Sequence, residues 1–587
     1  MEKSNNKLKK LLFGYEAIAL GAVRAGVSVF AGYPGCSSVN ILEAITGGSG
    51  APAGGAAFVV EWAVNEKAAL DAAAGVALSG GRALAAMDQA GFCRVSDPLL
   101  SLNCLGVSGA LVVVVTDDAG PFSSHAEQDT RSLGAYLKLA VFDPSSPEEA
   151  YTMVCDALDY SEKYRRPVIL RPTAMVCHSY ASIDLETFPV RAAKTPLSRH
   201  LSARHGPSFT PLKAAGNESI EADLAKMRED FSSYRGNSLF ISPDASGPLS
   251  KSSLPGGSGL LGIAAGGVSY AYVMEILNPM PTGLKILKIG SLPFPQDLGL
   301  RFLEGLNEVL VIEELDPVIE DELLRICGIR HLRAEIRGKR SGDMPRSGAY
   351  TPALAAEKIE AFLQKVWLYI SDLGKEKLPD SAAAAPVFTS LASVSPDILA
   401  AAANAADAQI KPLPEPPPIP LRSPALCTDC PHRGSFHAVK EAVRKHAKGL
   451  ALYSGTVDCA ILGNTRSLDL IEPCLDMGMN RAEGELRIVF MGEAGFFQTG
   501  IQELINAVCN QTDLIVVVLE NMAGKAKKIN IPALAESLGV KEIVRANPFD
   551  PDAAGEAAAQ LIDKPGVRLL IFEGSCSHRA ISGGALL

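Results

Sequence analysis

The sequence predicts an α/β protein built from three doubly wound, parallel-sheet domains. Three observations carry this. Apolar or β-branched runs alternate with helical stretches over residues 1–190, again over 256–366 and again over 421–587, the pattern of parallel sheets with crossover helices. At 587 residues the chain exceeds what one core supports. Apolar residues make up 47% and charged residues 20%, a globular balance.

Taken in order, residues 13–26 are helical and lead into a strand at 27–31 and the turn Gly32-Tyr33-Pro34-Gly35. A helix starts near Ser38, a strand runs over 58–61 and an Ala-rich helix over 65–78. Further strand-like runs lie at 84–87, 111–116 and 168–171. Residues 191–255 are polar and partly helical, a connector in which His200 and His205 read as solvated. Residues 256–366 repeat the alternation, with strands at 260–265, 284–289 and 309–313 and helices at 270–277 and 317–326. Gly266-Gly267 there reads as a tight turn, with a phosphate site as the alternative. Residues 367–420 are Ala-rich and then Pro-rich, a semi-rigid linker to the last domain at 421–587.

In that last domain a strand (486–491) meets Gly492-Glu493-Ala494-Gly495 and then a helix over about 496–510. A second strand (514–519) runs into Glu520-Asn521. The glycine turn brings a carboxylate and free N–H groups to a helix start, where phosphate is favoured. Asn521 follows Glu493 by 28 positions. An acid and an amide oxygen on neighbouring strand ends suit Mg2+ bridging a diphosphate. An ordinary crossover without a ligand is the competing reading.

The same domain carries Cys427-Thr428-Asp429-Cys430, then Cys459 and Cys576. Four thiolates can hold a [4Fe–4S] cluster or zinc. The wide later spacing does not match a zinc ribbon, and a redox pair or no metal at all stays open. Cys93, Cys104, Cys155, Cys177, Cys327 and Cys509 read as core.

A net charge of −10 without a basic tract argues against a nucleic-acid partner. No apolar run reaches the roughly 18 residues of a membrane helix, and residues 1–10 lack the apolar stretch of a signal peptide. A cytoplasmic protein with reduced cysteines is expected.

The motifs resemble the large (alpha) subunit of indolepyruvate ferredoxin oxidoreductase, a thiamine-diphosphate-dependent 2-oxoacid:ferredoxin oxidoreductase. The likeness runs through Gly32-Tyr33-Pro34-Gly35, through Val60-Glu61-Trp62-Ala63-Val64-Asn65-Glu66-Lys67 and through Asp117-Asp118-Ala119-Gly120-Pro121 to Glu127-Gln128-Asp129 and Arg131. It continues through 266–277 and 303–324 and through Gly492-Glu493-Ala494-Gly495-Phe496-Phe497-Gln498-Thr499-Gly500. It implies that 1–190 binds the aminopyrimidine, that 256–366 is a non-catalytic, transketolase C-terminal-like domain, and that 421–587 binds the diphosphate. Glu66 would face a ring nitrogen and favour the imino tautomer. Gly35 and Cys36 would line the cofactor and substrate turn. Glu493, Asn521 and the Ala523 carbonyl would hold Mg2+, with Gly492, Ala494 and Gly495 against the diphosphate. Cys427, Cys430, Cys459 and Cys576 would hold a [4Fe–4S] cluster. The implied reaction converts an aryl-pyruvate-like 2-oxo acid and coenzyme A to an acyl-CoA, with electrons passed to ferredoxin. The implied partners are a smaller beta subunit and a ferredoxin-like carrier, in an oligomer.

The sequence departs from the family pattern at several points. Glu493 stands for Asp, Ala494 for Ser, Cys36 for Thr, and Asp88-Gln89 for a Lys-His pair. Glu520-Asn521-Met522-Ala523-Gly524 stands for Asp-Asn-Arg-Thr-Thr, and Cys474-Leu475-Asp476-Met477-Gly478 for Cys-Met-Gly-Ala-Ser. The two ferredoxin-type cysteine runs that usually close the large subunit are not in this sequence. Asp88 in place of a cation disfavours an anionic substrate. Two alternatives follow: a non-redox thiamine diphosphate decarboxylase or carboligase, and a non-catalytic paralogue that has lost the cofactor.

Overall fold

The computed structural model describes residues 9–34, 39–46, 58–120, 127–185, 190–192, 211–241, 260–278, 284–373, 426, 429–447, 451–455, 486–520 and 529–575. One compact unit comprises Met1–Phe362 together with Ala425–Leu587; Leu363–Pro424 forms a second. The described part of the second unit is the end of the helix Pro352–Leu373.

The first part of the chain supplies strands β1 (Lys9–Phe13), β2 (Val29–Gly32), β3 (Val59–Trp62), β4 (Arg82–Asp88), β5 (Ala110–Thr116), β6 (Ala140–Phe142), β7 (Val168–Leu170) and β8 (Tyr180–Asp184). The next supplies β9 (Ser238–Ile241), β10 (Leu260–Gly266), β11 (Leu284–Ile289), β12 (Ser291–Leu292), β13 (Leu306–Ile312) and β14 (Glu335–Arg337). The last supplies β15 (Ala451–Gly455), β16 (Leu486–Gly492), β17 (Leu514–Glu520), β18 (Glu542–Ala546) and β19 (Val567–Glu573). Three sheets run β12-β6-β7-β5-β4-β2-β3, β14-β13-β10-β11-β9 and β15-β16-β17-β19-β18. All pairings within them are parallel except β6 with β12 and β11 with β9, which are antiparallel edges. The three doubly wound α/β sheets match the expected fold class.

Sequence dictates the central strands. Every residue of β5 (ALVVVVT) and β17 (LIVVVLE) is buried, as a strand covered by helices on both faces requires. In the last sheet the pleat sorts side chains into two cores. Ile488, Phe490, Ile515, Val517 and Leu519 pack with Phe436, Val439, Ala554 and Leu561 on one face. Val489, Met491, Val516 and Val518 pack with Phe496, Leu504, Ile531 and Ala535 on the other. The alternation of period 2 therefore serves two helix layers rather than one. The Ala-rich helix Glu66–Leu78 is buried on nearly all sides, as a helix apolar all round must be. Its small side chains share one continuous core with β4, β5 and the second sheet.

Several elements differ from the sequence expectation, among them β6, β8, β14, β15 and β18, which no expected run covers. The helical part expected in the connector runs Pro211–Phe231, and the connector adds β9, which joins the second sheet. Residues 9–13 form β1, paired with β8, because Leu12 alone of the five points inward and leaves no hydrophobic period to read. The glycine turn is shorter than expected: Gly492 caps the helix and Glu493 already lies in its first turn. That helix runs through Glu493–Gly495, a π-helical turn at Phe496–Gly500, and Ile501–Cys509. Gly500 lets it lie on β16, since a Cβ there would come 2.7 Å from Met491 Sδ.

Candidate active site

Glu66 is delivered by the turn between β3 and its helix. Asn65 is extended, and its side chain accepts from the Ala68 N–H at 2.8 Å, capping the helix. Glu66 is then the first helical residue and is buried. Its Oε1 accepts from Arg94 Nη1 at 2.8 Å; the arginine side chain is 63% exposed. Gly91 packs against the acid so closely that a Cβ would lie 2.5 Å from Glu66 Cγ.

Asp88 and Gln89 take structural roles beside it. Asp88 caps the short helix Gln89–Arg94, accepting from Gly91 N–H at 2.7 Å. Buried Gln89 accepts from Asp118 N–H at 3.2 Å. The positive charge nearest Glu66 among the described residues is thus Arg94, not a residue at 88 or 89. Cys93 donates to Gln128 Oε1, and burial, then the charge of Asp117, pushes its thiol up, away from thiolate reactivity.

Glu493 leaves the carboxyl end of β16 and is buried. Gly492 is in register with Leu519, so Glu493 and Glu520 come off adjacent strand ends. Glu520 is in turn in register with Glu573. Arg545 Nη2 lies 2.9 Å from Glu573 and 3.9 Å from Glu520, easing the repulsion of that row. The backbone of Ala494 and Gly495 continues the helix. Gly35, Cys36, Asn521 and Ala523 lie outside the described residues.

The structure brings the Glu66 turn and the helix after Glu493 together. Asn506 Oδ1 accepts from Val64 N–H at 3.1 Å, and its Nδ2 donates to Glu61 Oε1 at 3.4 Å. Asn65 Nδ2 donates to Gln502 Oε1 at 2.9 Å. Lys67 Nζ sits 2.6 Å from Asp71 and 3.5 Å from Glu503, both carboxylates buried. Sequence reading missed all of these, because a polar face at 502, 503 and 506 looks like a solvated helix face.

Of the four cluster positions, Cys430 is described; Cys427, Cys459 and Cys576 are not. Cys430 precedes the helix Pro431–His446, its Sγ 3.3 Å from Nδ1 of buried His432. A Cβ on Gly574 would lie 2.8 Å from Pro431 Cβ. The strand end that leads to position 576 therefore packs beside Cys430.

Two further motifs serve the joint between the first and second sheets. Arg131 donates to Asp129 (2.7 Å), Glu313 (2.9 Å) and the Glu314 and Asp316 carbonyls. Arg171 donates to Asp117 (2.7 Å) and Asp143 (3.0 Å). Burial alone would raise the Asp129 carboxyl, but the Arg131 and Arg171 guanidiniums outweigh it and hold it at about 2. For Asp117 burial wins, and its carboxyl is pushed up. The Asp143 carboxylate also fills the Gly266-Gly267 turn: a Cβ on Gly267 (φ +51°) would meet its Oδ1 at 2.9 Å. That supports a tight turn there rather than a phosphate seat.

Known proteins resemble this chain in sequence. A family model described as pyruvate flavodoxin/ferredoxin oxidoreductase, thiamine diphosphate-binding, matches residues 20–223. Indolepyruvate oxidoreductase subunit IorA of Archaeoglobus fulgidus is 30% identical over 600 residues, which cover 97% of this chain and 86% of that one. The chain belongs to the IorA family. The Thermococcus kodakarensis IorA is 29% identical over 97% of this chain and 86% of its own. A 2-oxoglutarate synthase subunit KorA of A. fulgidus is 24% identical over 55% of this chain and 92% of its own. A Magnetococcus marinus 2-oxoglutarate:ferredoxin oxidoreductase structure aligns with 17% identity and a TM-score of 0.46, over 62% of this chain and 66% of that one.

Two buried acids of this IorA-family chain have the chemistry that thiamine diphosphate would call on. A buried acid, Glu66, lies within the matched 20–223 segment. A second buried acid, Glu493, opens a helix at the carboxyl end of a parallel strand, where such ligands bind. Among the described residues no group of three or more metal-ligating side chains converges. No described helix is long and apolar enough to cross a membrane.

Proposed function

We propose that this chain is the cofactor-bearing subunit of an enzyme that oxidatively decarboxylates a 2-oxo acid of the aryl pyruvate type. The 2-oxo acid and coenzyme A become an acyl-CoA and CO2, and the electron pair released passes to oxidised ferredoxin. The supporting observation is the joining of the Glu66 turn to the Glu493 helix across chain ends 442 positions apart.

Thiamine diphosphate, when bound, supplies the electron sink for loss of the carboxylate. Glu66 would hold a proton against the aminopyrimidine, its burial keeping water away. Glu493, Asn521 and the Ala523 carbonyl would hold Mg2+, with Gly492, Ala494 and Gly495 against the diphosphate. Gly35 and Cys36 would line the substrate turn. Cys427, Cys430, Cys459 and Cys576 would hold a [4Fe–4S] cluster that accepts electrons singly; the packing of Gly574 on Pro431 supports bringing Cys576 to Cys430. A smaller subunit and a ferredoxin-like carrier complete the assembly, in a cytoplasmic oligomer. IorA membership and the buried Glu66 favour this over a non-redox carboligase or a cofactor-free paralogue.

The test is anaerobic purification followed by assay of bound thiamine diphosphate, iron and sulfide. Indolepyruvate and coenzyme A with a viologen acceptor supply the activity assay. All three components with coenzyme A-dependent viologen reduction are expected; thiamine diphosphate without iron would overturn the redox part.

A further inference from the structure

The helix after Glu493 presents Gln502, Glu503 and Asn506 to the turn that precedes Glu66. Asn506 is buried and sits at the centre of this contact. Its Oδ1 also accepts from Asn510 Nδ2 at 3.1 Å, which fixes the amide with its oxygen toward Val64 and its nitrogen toward Glu61. Asn65 serves both sides of the contact, since its oxygen caps the helix that carries Glu66 and its nitrogen bonds Gln502. These contacts join Glu61, Val64, Asn65 and Lys67, around Glu66, to Gln502, Glu503 and Asn506 on the helix that Glu493 opens.

We propose that Asn506, with Gln502 at its rim, is a positioning clasp that sets the separation between Glu66 and Glu493. This rests on the thiamine diphosphate reading above. A cofactor gripped at its pyrimidine and diphosphate ends needs both grips at a fixed spacing. Small misplacements of such grips are costly. Asn506 acts through Glu66 and Glu493 rather than as a catalytic residue. Buried amide contacts suit this role because their geometry is strict and their loss leaves polar groups unpaired away from water.

The experiment titrates thiamine diphosphate with Mg2+ into the full-length chain and its variants N506A, N506D and Q502A. It is read by calorimetry and by hydrogen exchange over residues 58–70. Asn506→Ala removes both bonds to the Glu66 turn and the one from Asn510; Asn506→Asp keeps the acceptor for Val64 but turns a carboxylate toward Glu61. Both are expected to weaken binding at least about tenfold at a temperature where circular dichroism shows them folded. The Val64 amide should exchange faster in them, and cofactor should no longer slow it to the wild-type rate. Gln502→Ala, at the exposed edge, should weaken binding about two- to fivefold and serves if the buried variants fail to fold. A merely structural role would lower the melting temperature and leave the dissociation constant unmoved. Wild-type affinity in the folded variants overturns the clasp alone. Absence of binding by the wild-type chain overturns the cofactor reading and the clasp with it.

Discussion

Arg94 Nη1 lies 2.8 Å from Glu66 Oε1, an exposed cation covering a buried acid. If Glu66 receives the aminopyrimidine at Oε1, the ring takes the place of Arg94 there. An ion pair with one exposed partner contributes about 0.2–1 kcal/mol. The variant R94A should therefore bind thiamine diphosphate up to about fivefold more tightly by calorimetry. Weaker binding would mean that Arg94 grips the cofactor instead.

Glu66→Gln should fold normally and lose activity by at least about 100-fold, the usual scale for removing a positioned proton donor or base. Its exposed partner Arg94 can turn to water, so the melting temperature should move little. Full activity in 2-oxo acid-dependent viologen reduction would remove Glu66 from the mechanism.

Gly91→Ala places a methyl 2.5 Å from Glu66 Cγ. Overpacking of this kind costs about 1–3 kcal/mol. A lower melting temperature and weaker thiamine diphosphate binding are expected together. A melting temperature drop without any change in affinity would separate Gly91 from the site.

The joint between the first two sheets makes a pH prediction. The Asp129 carboxyl is held at about 2 by Arg131 and Arg171, below the value of about 4 it has in an unfolded chain. A depressed carboxyl contributes stability that is present above about pH 4 and is lost as pH falls toward 2. The contribution is on the order of 2 kcal/mol. Acid unfolding of D129N, followed by circular dichroism, should be flatter than wild type over that window. Arg131→Met, which leaves Asp129 and Glu313 buried without their shared cation, should cost about 3–5 kcal/mol in urea unfolding.

Much of the fold is legible because strand and helix signals are local. The run at 514–519 is observed as Leu514–Glu520, and the helix expected over 65–78 as Glu66–Leu78. The edge strands β1, β9 and β12 are not legible: they are short, and β1 and β9 are largely exposed, so no hydrophobic period marks them. Glu66 and Glu493 are legible because each sits in a motif at a strand–helix turn. The contact between Asn506 and Val64 is not, since 442 positions separate them and nothing local says which polar face docks. The Asp117 to Arg131 motif shows the converse. Its residues carry the family likeness without declaring a role, and Asp129 and Arg131 prove to join two sheets, a role set by burial that only the folded chain reveals.

Calorimetric titration of thiamine diphosphate into the wild-type chain and into E493Q, with and without Mg2+, probes the proposed cofactor site head-on. One-to-one binding that requires Mg2+ and is lost in E493Q is expected. Binding that ignores both Mg2+ and Glu493, or no binding by the wild-type chain, would rule the site out.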